Sequence, residues 1–203
     1  TTNAAKYGVD IAPREIVINE YTSQSECASP GNLVRWIGLF EEYNVAACLP
    51  FWHLSNNLNG LAADNNEGNG AWWLYKWYGD MSGNYLPVAT SNAAKDSYYG
   101  VASLDNNKRS ANVVFGGVSG SSNIVLENIN QAESFKDAKM VHVKLEATDY
   151  TGFHGVAEEP RIVKEGAVEV VDGKVIIPIS DMLKLSAYRL TITQATEDET
   201  PGF

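Results

Sequence analysis

A carboxylate placed at the end of an apolar run is the feature of this sequence best suited to chemistry. Ile16-Val17-Ile18-Asn19-Glu20-Tyr21 runs into a polar loop, Thr22 to Ala28. A second apolar run, Val45 to Trp52, closes with Pro50-Phe51-Trp52-His53 and brings an indole and an imidazole to its end. A carboxylate beside an aromatic ring suits work on a glycosidic bond. The carboxylate attacks or stabilises an oxocarbenium-like centre, and the ring packs against the C–H face of a sugar. The residues alone also allow a plainer reading, with Glu20 a solvated or ion-paired edge group and Trp52 a core residue.

Glycosidic chemistry with retention needs a second carboxyl about 5–5.5 Å from the first. Glu26, Asp64 and Glu67 are the loop carboxylates on offer, whereas Glu41-Glu42 reads as a solvated surface pair near a helix end. His53 could bond a sugar hydroxyl or be structural; His142, inside a strand-like run, and His154, in a Gly-flanked loop, read as structural. Three scattered histidines and two cysteines lack the spacing of a metal cluster. Cys48 reads as a buried free thiol, with a bond to Cys27 left open. The Asn/Asp-rich stretch from His53 to Asn69 matches no calcium loop. No phosphate-cradling loop is present, and no cofactor is required. Gly116-Gly117-Val118-Ser119-Gly120 reads as a turn.

These groups need elements to hold them. Glu15 to Asn19 reads as a buried parallel strand. Ser29-Pro30 then predicts a helix start, with Ser29 as N-cap and Leu33, Trp36, Ile37 and Phe40 on one apolar face. With Asn44 closing that helix and Val45 to Trp52 forming a second strand, the segment makes one βαβ unit. After the long polar stretch, a helix from about Gly70 to Met81 carries Trp72, Trp73, Tyr75, Trp77 and Tyr78, mostly as core, with Trp72 the member expected to face a cleft. The chain changes character near residue 95. Seven short strand signals follow, Tyr98–Leu104, Asn112–Phe115, Ile124–Asn128, Met140–Ala147, Ala167–Val171, Lys174–Ile179 and Tyr188–Thr193, with an Asp172-Gly173 hairpin signal between the fifth and sixth. That pattern predicts an antiparallel β-sandwich. Thr196 to Phe203 is expected to fray.

The chain has 203 residues, 44% of them hydrophobic, with 15 basic against 25 acidic residues and a net charge of −10. That sign disfavours nucleic acid and anionic membrane surfaces as partners. A neutral glycan is compatible. No apolar run reaches the length of a membrane span, and the compartment, secreted or cytoplasmic, is open. The start, Thr1 to Lys6, reads as the middle of something longer.

The stretch from Pro13 to Pro87 resembles the last two βα units of clan A glycoside hydrolases, closest to the β-xylosidase and α-L-iduronidase type. Ile18-Asn19-Glu20-Tyr21 is similar to the strand-seven nucleophile signature of that clan, and Phe51-Trp52 to its strand-eight end. The resemblance implies an α/β plus all-β chain: residues 1–94 as the C-terminal part of a (β/α)8 barrel and 95–203 as a β-sandwich. It implies Glu20 as nucleophile and Trp52 as part of the sugar-binding subsite; Tyr21, His53 and Trp72 are the further candidate sugar contacts. Asn19-Glu20 also has the form of the clan's strand-four acid/base, but only one further barrel-like strand follows it, and strand four would need four. Fewer than 90 residues of a barrel that takes about 250 leave the acid/base outside this sequence. The expected partners are a carbohydrate substrate and the remainder of the barrel, in the same polypeptide or a co-purifying fragment. A non-catalytic carbohydrate-binding or structural β-sandwich module is the alternative from another class.

Overall fold

The computed structural model describes residues 6–8, 15–50, 60–63, 67–90 and 99–203. The first strand, β1 (Val17–Tyr21), pairs in parallel with β2 (Ala46–Pro50), and helix α1 (Pro30–Tyr43) connects them. Parallel neighbours need a crossover of this kind, because a tight turn can only reverse the chain. The predicted βαβ unit is present. Its start shifts by two residues: Glu15 and Ile16 precede the strand, which runs on through Glu20 to Tyr21. Asn44 ends α1 in the left-handed region, as a C-cap, with its N–H on the carbonyls of the last turn. Ser29 occupies the N-cap position without capping: its hydroxyl donates instead to the Leu185 carbonyl at 3.5 Å, tying the helix start to the β domain.

Helix α2 (Gly70–Asp80) is capped by Asn69. The buried Asn69 side chain accepts from the N–H groups of Ala71 and Trp72 at 2.9 and 3.1 Å, and its amide nitrogen donates to the Gly60 carbonyl. The part of the long polar stretch that is described is therefore ordered. Ala62 bridges Gly68, and the Ala63 N–H meets the Glu67 carbonyl, an antiparallel pairing that sets the cap in place.

Eight antiparallel strands follow: β3 (Asn84–Leu86), β4 (Tyr99–Asp105), β5 (Ser110–Gly116), β6 (Gly120–Leu126), β7 (Met140–Thr148), β8 (Arg161–Glu169), β9 (Val175–Met182) and β10 (Ala187–Gln194). Six form one sheet in the order β3-β4-β5-β10-β7-β8, and β6 pairs β9 across from it. The short β3 edge strand escapes sequence reading because all three of its residues are exposed and carry no alternation. On one face of the large sheet, Val113, Phe115, Val143, Leu145, Tyr188, Leu190 and Ile192 meet Val175, Ile177 and Ile179 of the small one. This is the sandwich core, with the Phe115 and Tyr188 rings stacked at 5.5 Å.

The other face of the large sheet is covered by α1 and α2. Val101, Val114 and Ala187 share a second core with Leu33, Val34, Ile37, Leu74 and Trp77. Strand alternation produces both cores, since neighbouring side chains such as Val113 and Val114 point to opposite faces. The contact is close enough to require glycine. A Cβ on Gly31 would strike the carbonyl oxygens of Lys184 and Ser186, and one on Gly70 would strike the Asp149 carbonyl. In addition, the Gly31 N–H donates to the Leu185 carbonyl at 2.9 Å, and the Thr148 hydroxyl to the Gly70 carbonyl at 3.2 Å.

Two expectations about the β region change. Asp172 and Gly173 do form the two-residue turn, both at positive φ, with Val171 and Lys174 bonded across it. The strands then part: β8 pairs β7 and β9 pairs β6, so the turn passes the chain between sheets. The tail does not fray. The Gly202 and Phe203 N–H groups share the Ala167 carbonyl, and the Lys164 ammonium lies 4.8 Å from the Phe203 ring centre. His142 holds the same tail electrostatically, with Nε2 3.0 Å from Glu165 of β8 and Nδ1 3.1 Å from Glu199. The two cysteines are unpaired; Cys27 is buried and Cys48 exposed, the reverse of the sequence expectation for Cys48.

Replacing Asn69 with Ala removes the cap from the N–H groups of Ala71, which is buried, and Trp72, which is part-buried. The expected loss is roughly 1–2 kcal/mol, measured as a shift in urea midpoint at unchanged m-value. His142 supplies a pH test. The bond to Glu165 raises its pKa, burial opposes this, and Glu199 adds to the rise. A raised folded-state pKa means the contribution is complete below the ordinary histidine value near 6.5 and is lost as pH climbs through the raised value. Lys144, on the same face, lies opposite Glu165 in register. Amide exchange at Gly202 and Phe203, corrected for intrinsic rates, should speed up roughly 2- to 5-fold over that rise. In a His142→Gln chain the corrected rates should not depend on pH.

Candidate functional site

Glu20 is the penultimate residue of β1, at its C-terminal end, and its side chain is exposed. Among the described residues no hydrogen bond or ion pair engages it. Tyr21, its neighbour, points the opposite way. It is 8% exposed, packed edge-on against Phe40 at 4.8 Å and tilted against Trp36 at 5.8 Å, both on α1. The Tyr21 and Tyr75 hydroxyls are bonded at 2.5 Å. A side chain held in this way between two helices is not on the Glu20 side of the strand, which corrects the expectation that Tyr21 lines a sugar subsite. Alternation along the strand is the physical reason. Burial raises the Tyr21 pKa, partly offset by the bond from Tyr75, and burial together with Tyr21 holds the Tyr75 phenol far above its usual range. Both groups stay neutral and can share one hydrogen bond.

The loop leaving β1 is strained. Thr22 adopts φ 68°, a left-handed conformation that costs a β-branched residue of order 1–3 kcal/mol and that clusters near functional sites. Its hydroxyl donates to Glu26 at 3.4 Å, so Glu26 is engaged within its own loop.

Trp52 and His53 lie outside the described residues, as do Asp64 and most of the stretch between them. Trp72 sits in the first turn of α2, 39% exposed, with its ring edge-on to Trp73 at 4.8 Å and over Gly68. It is the most exposed aromatic residue of the helix. Trp77 is core: the Arg189 guanidinium lies 5.0 Å from its ring and donates twice to Glu146, at 2.9 and 2.6 Å. Glu67 is exposed. Glu41 is no solvated surface group, because the Tyr78 hydroxyl donates to its carboxylate and joins α2 to α1. The sequence signal for the tyrosine contacts was the aromatic helix itself. Their partners, 37 and 54 residues away, carry no local mark. Among the described residues no group of three or more His, Cys, Asp or Glu is placed to hold a metal ion, and no helix is long and apolar enough to cross a membrane.

One feature of β1 and β2 bears on what surrounds the site. Parallel strands are ordinarily buried on both faces. Here Ile16 and Val17 are 59% and 50% exposed, and among the described residues each strand has only the other as neighbour.

Comparison with known proteins gives the class. No protein-family model matches the chain. A 3-O-α-D-galactosyl-α-L-arabinofuranosidase of Bifidobacterium longum subsp. longum is 32% identical over 191 residues, which cover 90% of this chain and 17% of that protein. A 3-O-β-L-arabinopyranosyl-α-L-arabinofuranosidase of Bifidobacterium pseudocatenulatum is 28% identical over 201 residues, covering 93% of the chain and 20% of that protein. A solved protein of Neocallimastix frontalis is 28% identical with a TM-score of 0.83, over 96% of this chain and 48% of its own. The chain thus spans a fifth or less of the length of the curated relatives it matches. Over nine-tenths of its length, the chain is related to glycoside hydrolases.

Proposed function

We propose that this chain contributes the last two βα units and the following β-sandwich to a retaining glycoside hydrolase of the clan A type, with Glu20 as its nucleophile. Residues 1–94 belong to the catalytic (β/α)8 barrel in this reading and 95–203 to the sandwich. The observation that carries it is the exposed Glu20 carboxylate at the C-terminal end of a parallel strand, the position from which barrel enzymes act. The strained Thr22 beside it supports the same reading. So do the bare apolar residues of β1, which fit a strand whose other neighbours are the preceding strands of a barrel.

In this mechanism the Glu20 carboxylate attacks the anomeric carbon while a carboxylic acid from the preceding part of the barrel protonates the departing oxygen. Water, activated by the same acid in its basic form, then cleaves the glycosyl–Glu20 ester and restores the anomeric configuration. Two curated relatives with different capping sugars share the α-L-arabinofuranosidase name. An α-L-arabinofuranosyl unit carrying a sugar at O3 is therefore the proposed donor, with Trp72, Trp52 and His53 as sugar contacts. No cofactor takes part.

In the protein that holds this chain with the rest of the barrel, Glu20→Gln should lower kcat/KM on an aryl α-L-arabinofuranoside about 10³-fold or more, with folding unchanged. Turnover within tenfold of wild type would remove Glu20 from the chemistry. The 203-residue chain by itself should show no turnover above buffer on any aryl glycoside, because in this reading the acid comes from the preceding part of the barrel. Robust release by the purified chain would overturn the two-part reading.

A further inference from the structure

The residue after Glu20 is fixed more tightly than a strand end ordinarily is. Tyr21 is gripped on three sides: by Phe40 and Trp36 of α1, and through its hydroxyl by Tyr75 of α2. Helix α2 is itself immobilised on the β domain. Gly70 abuts the Asp149 carbonyl and accepts from Thr148, while Trp77 lies under an Arg189 guanidinium locked to Glu146. A continuous run of packed groups leads from the sandwich through α2 and the two phenols to the backbone that carries Glu20. At the step from α2 to β1 the phenol pair is the directional link, since ring packing tolerates sliding and a hydroxyl bond does not.

We propose that the Tyr21–Tyr75 hydroxyl pair is a positioning device that holds the end of β1 so that the Glu20 carboxylate stands at attacking distance. The inference rests on the nucleophile reading above and assigns the sandwich a role in catalysis: it supports the helix on which Tyr75 rides. Neither tyrosine is a catalytic residue, because Tyr21 faces away from the Glu20 side. The benefit is orientational, and a displacement of about 1 Å at a reacting atom costs on the order of 100-fold in rate.

The test compares four variants of the protein holding the whole barrel, with steady-state kinetics on an aryl α-L-arabinofuranoside and thermal melts. Tyr75→Phe should lower kcat about 10- to 100-fold at nearly unchanged KM. Tyr21→Phe should do the same. The double variant should be no slower than either single one, because both remove the same bond and the double leaves no buried hydroxyl unpaired. Tyr78→Phe breaks the bond from the same helix to Glu41 and leaves the Tyr21–Tyr75 bond in place. It should keep wild-type kcat while losing comparable melting temperature. If Tyr75→Phe melts lower but turns over at the wild-type rate, or Tyr78→Phe slows kcat equally, the pair is merely structural and the inference falls. A Glu20→Gln variant measured alongside separates the two levels. Retained turnover there overturns the nucleophile reading and the positioning role with it, whereas a dead Glu20→Gln beside a fully active Tyr75→Phe overturns the positioning role alone.

Discussion

Everything in this molecule is built on the seating of two helix N-termini against the backbone of a β-sheet. At Gly31 and Gly70 the helices come so close to the carbonyls of 184–186 and of Asp149 that no side chain fits between. Backbone hydrogen bonds and the hydroxyls of Ser29 and Thr148 then cross the same seam. Burial of an unpaired backbone group is costly, so these crossings determine where each helix begins and which way it points. The parallel strands β1 and β2 are attached to the far side of those helices. Their position relative to the sandwich follows from the seam.

The consequence for the site is indirect and physical. A strand-end carboxylate is only as well placed as the strand, and β1 has one hydrogen-bonded neighbour among the described residues. What it lacks in sheet partners is supplied from behind by the aromatic contacts of Tyr21 and the hydroxyl of Tyr75. The part-buried Arg189–Glu146 pair, with the guanidinium over the Trp77 ring, adds stiffness to the same support.

Much of this was legible in the sequence. The βαβ unit followed from two β-branched runs flanking a helix with Ser29-Pro30 at its head, and the sandwich from alternation in segments such as Val141 to Ala147. What was not legible depends on partners far away in the chain. Ser29 gives up its capping role because the Leu185 carbonyl is within reach, and Asn69 caps because the pairing of 61–63 with 67–69 delivers it. Tyr21 looked like a subsite residue because it sits next to Glu20; period-two alternation argued otherwise, and the burial shows it. The tail was misread because Thr196 to Glu199 is polar, whereas Gly202 and Phe203 supply the anchors. The Asp172-Gly173 turn was recognised, yet a local motif does not reveal that its two strands join different sheets.

The most direct measurement is to trap the covalent intermediate in the protein that carries this chain with its whole barrel. The probe is an activated α-L-arabinofuranoside whose second step is slowed by fluorine at C2. Peptide mass mapping should find one sugar residue added, on the peptide containing Glu20. A label on any other carboxylate, or turnover with inversion and no adduct, would contradict the assignment of the β1 carboxylate as nucleophile.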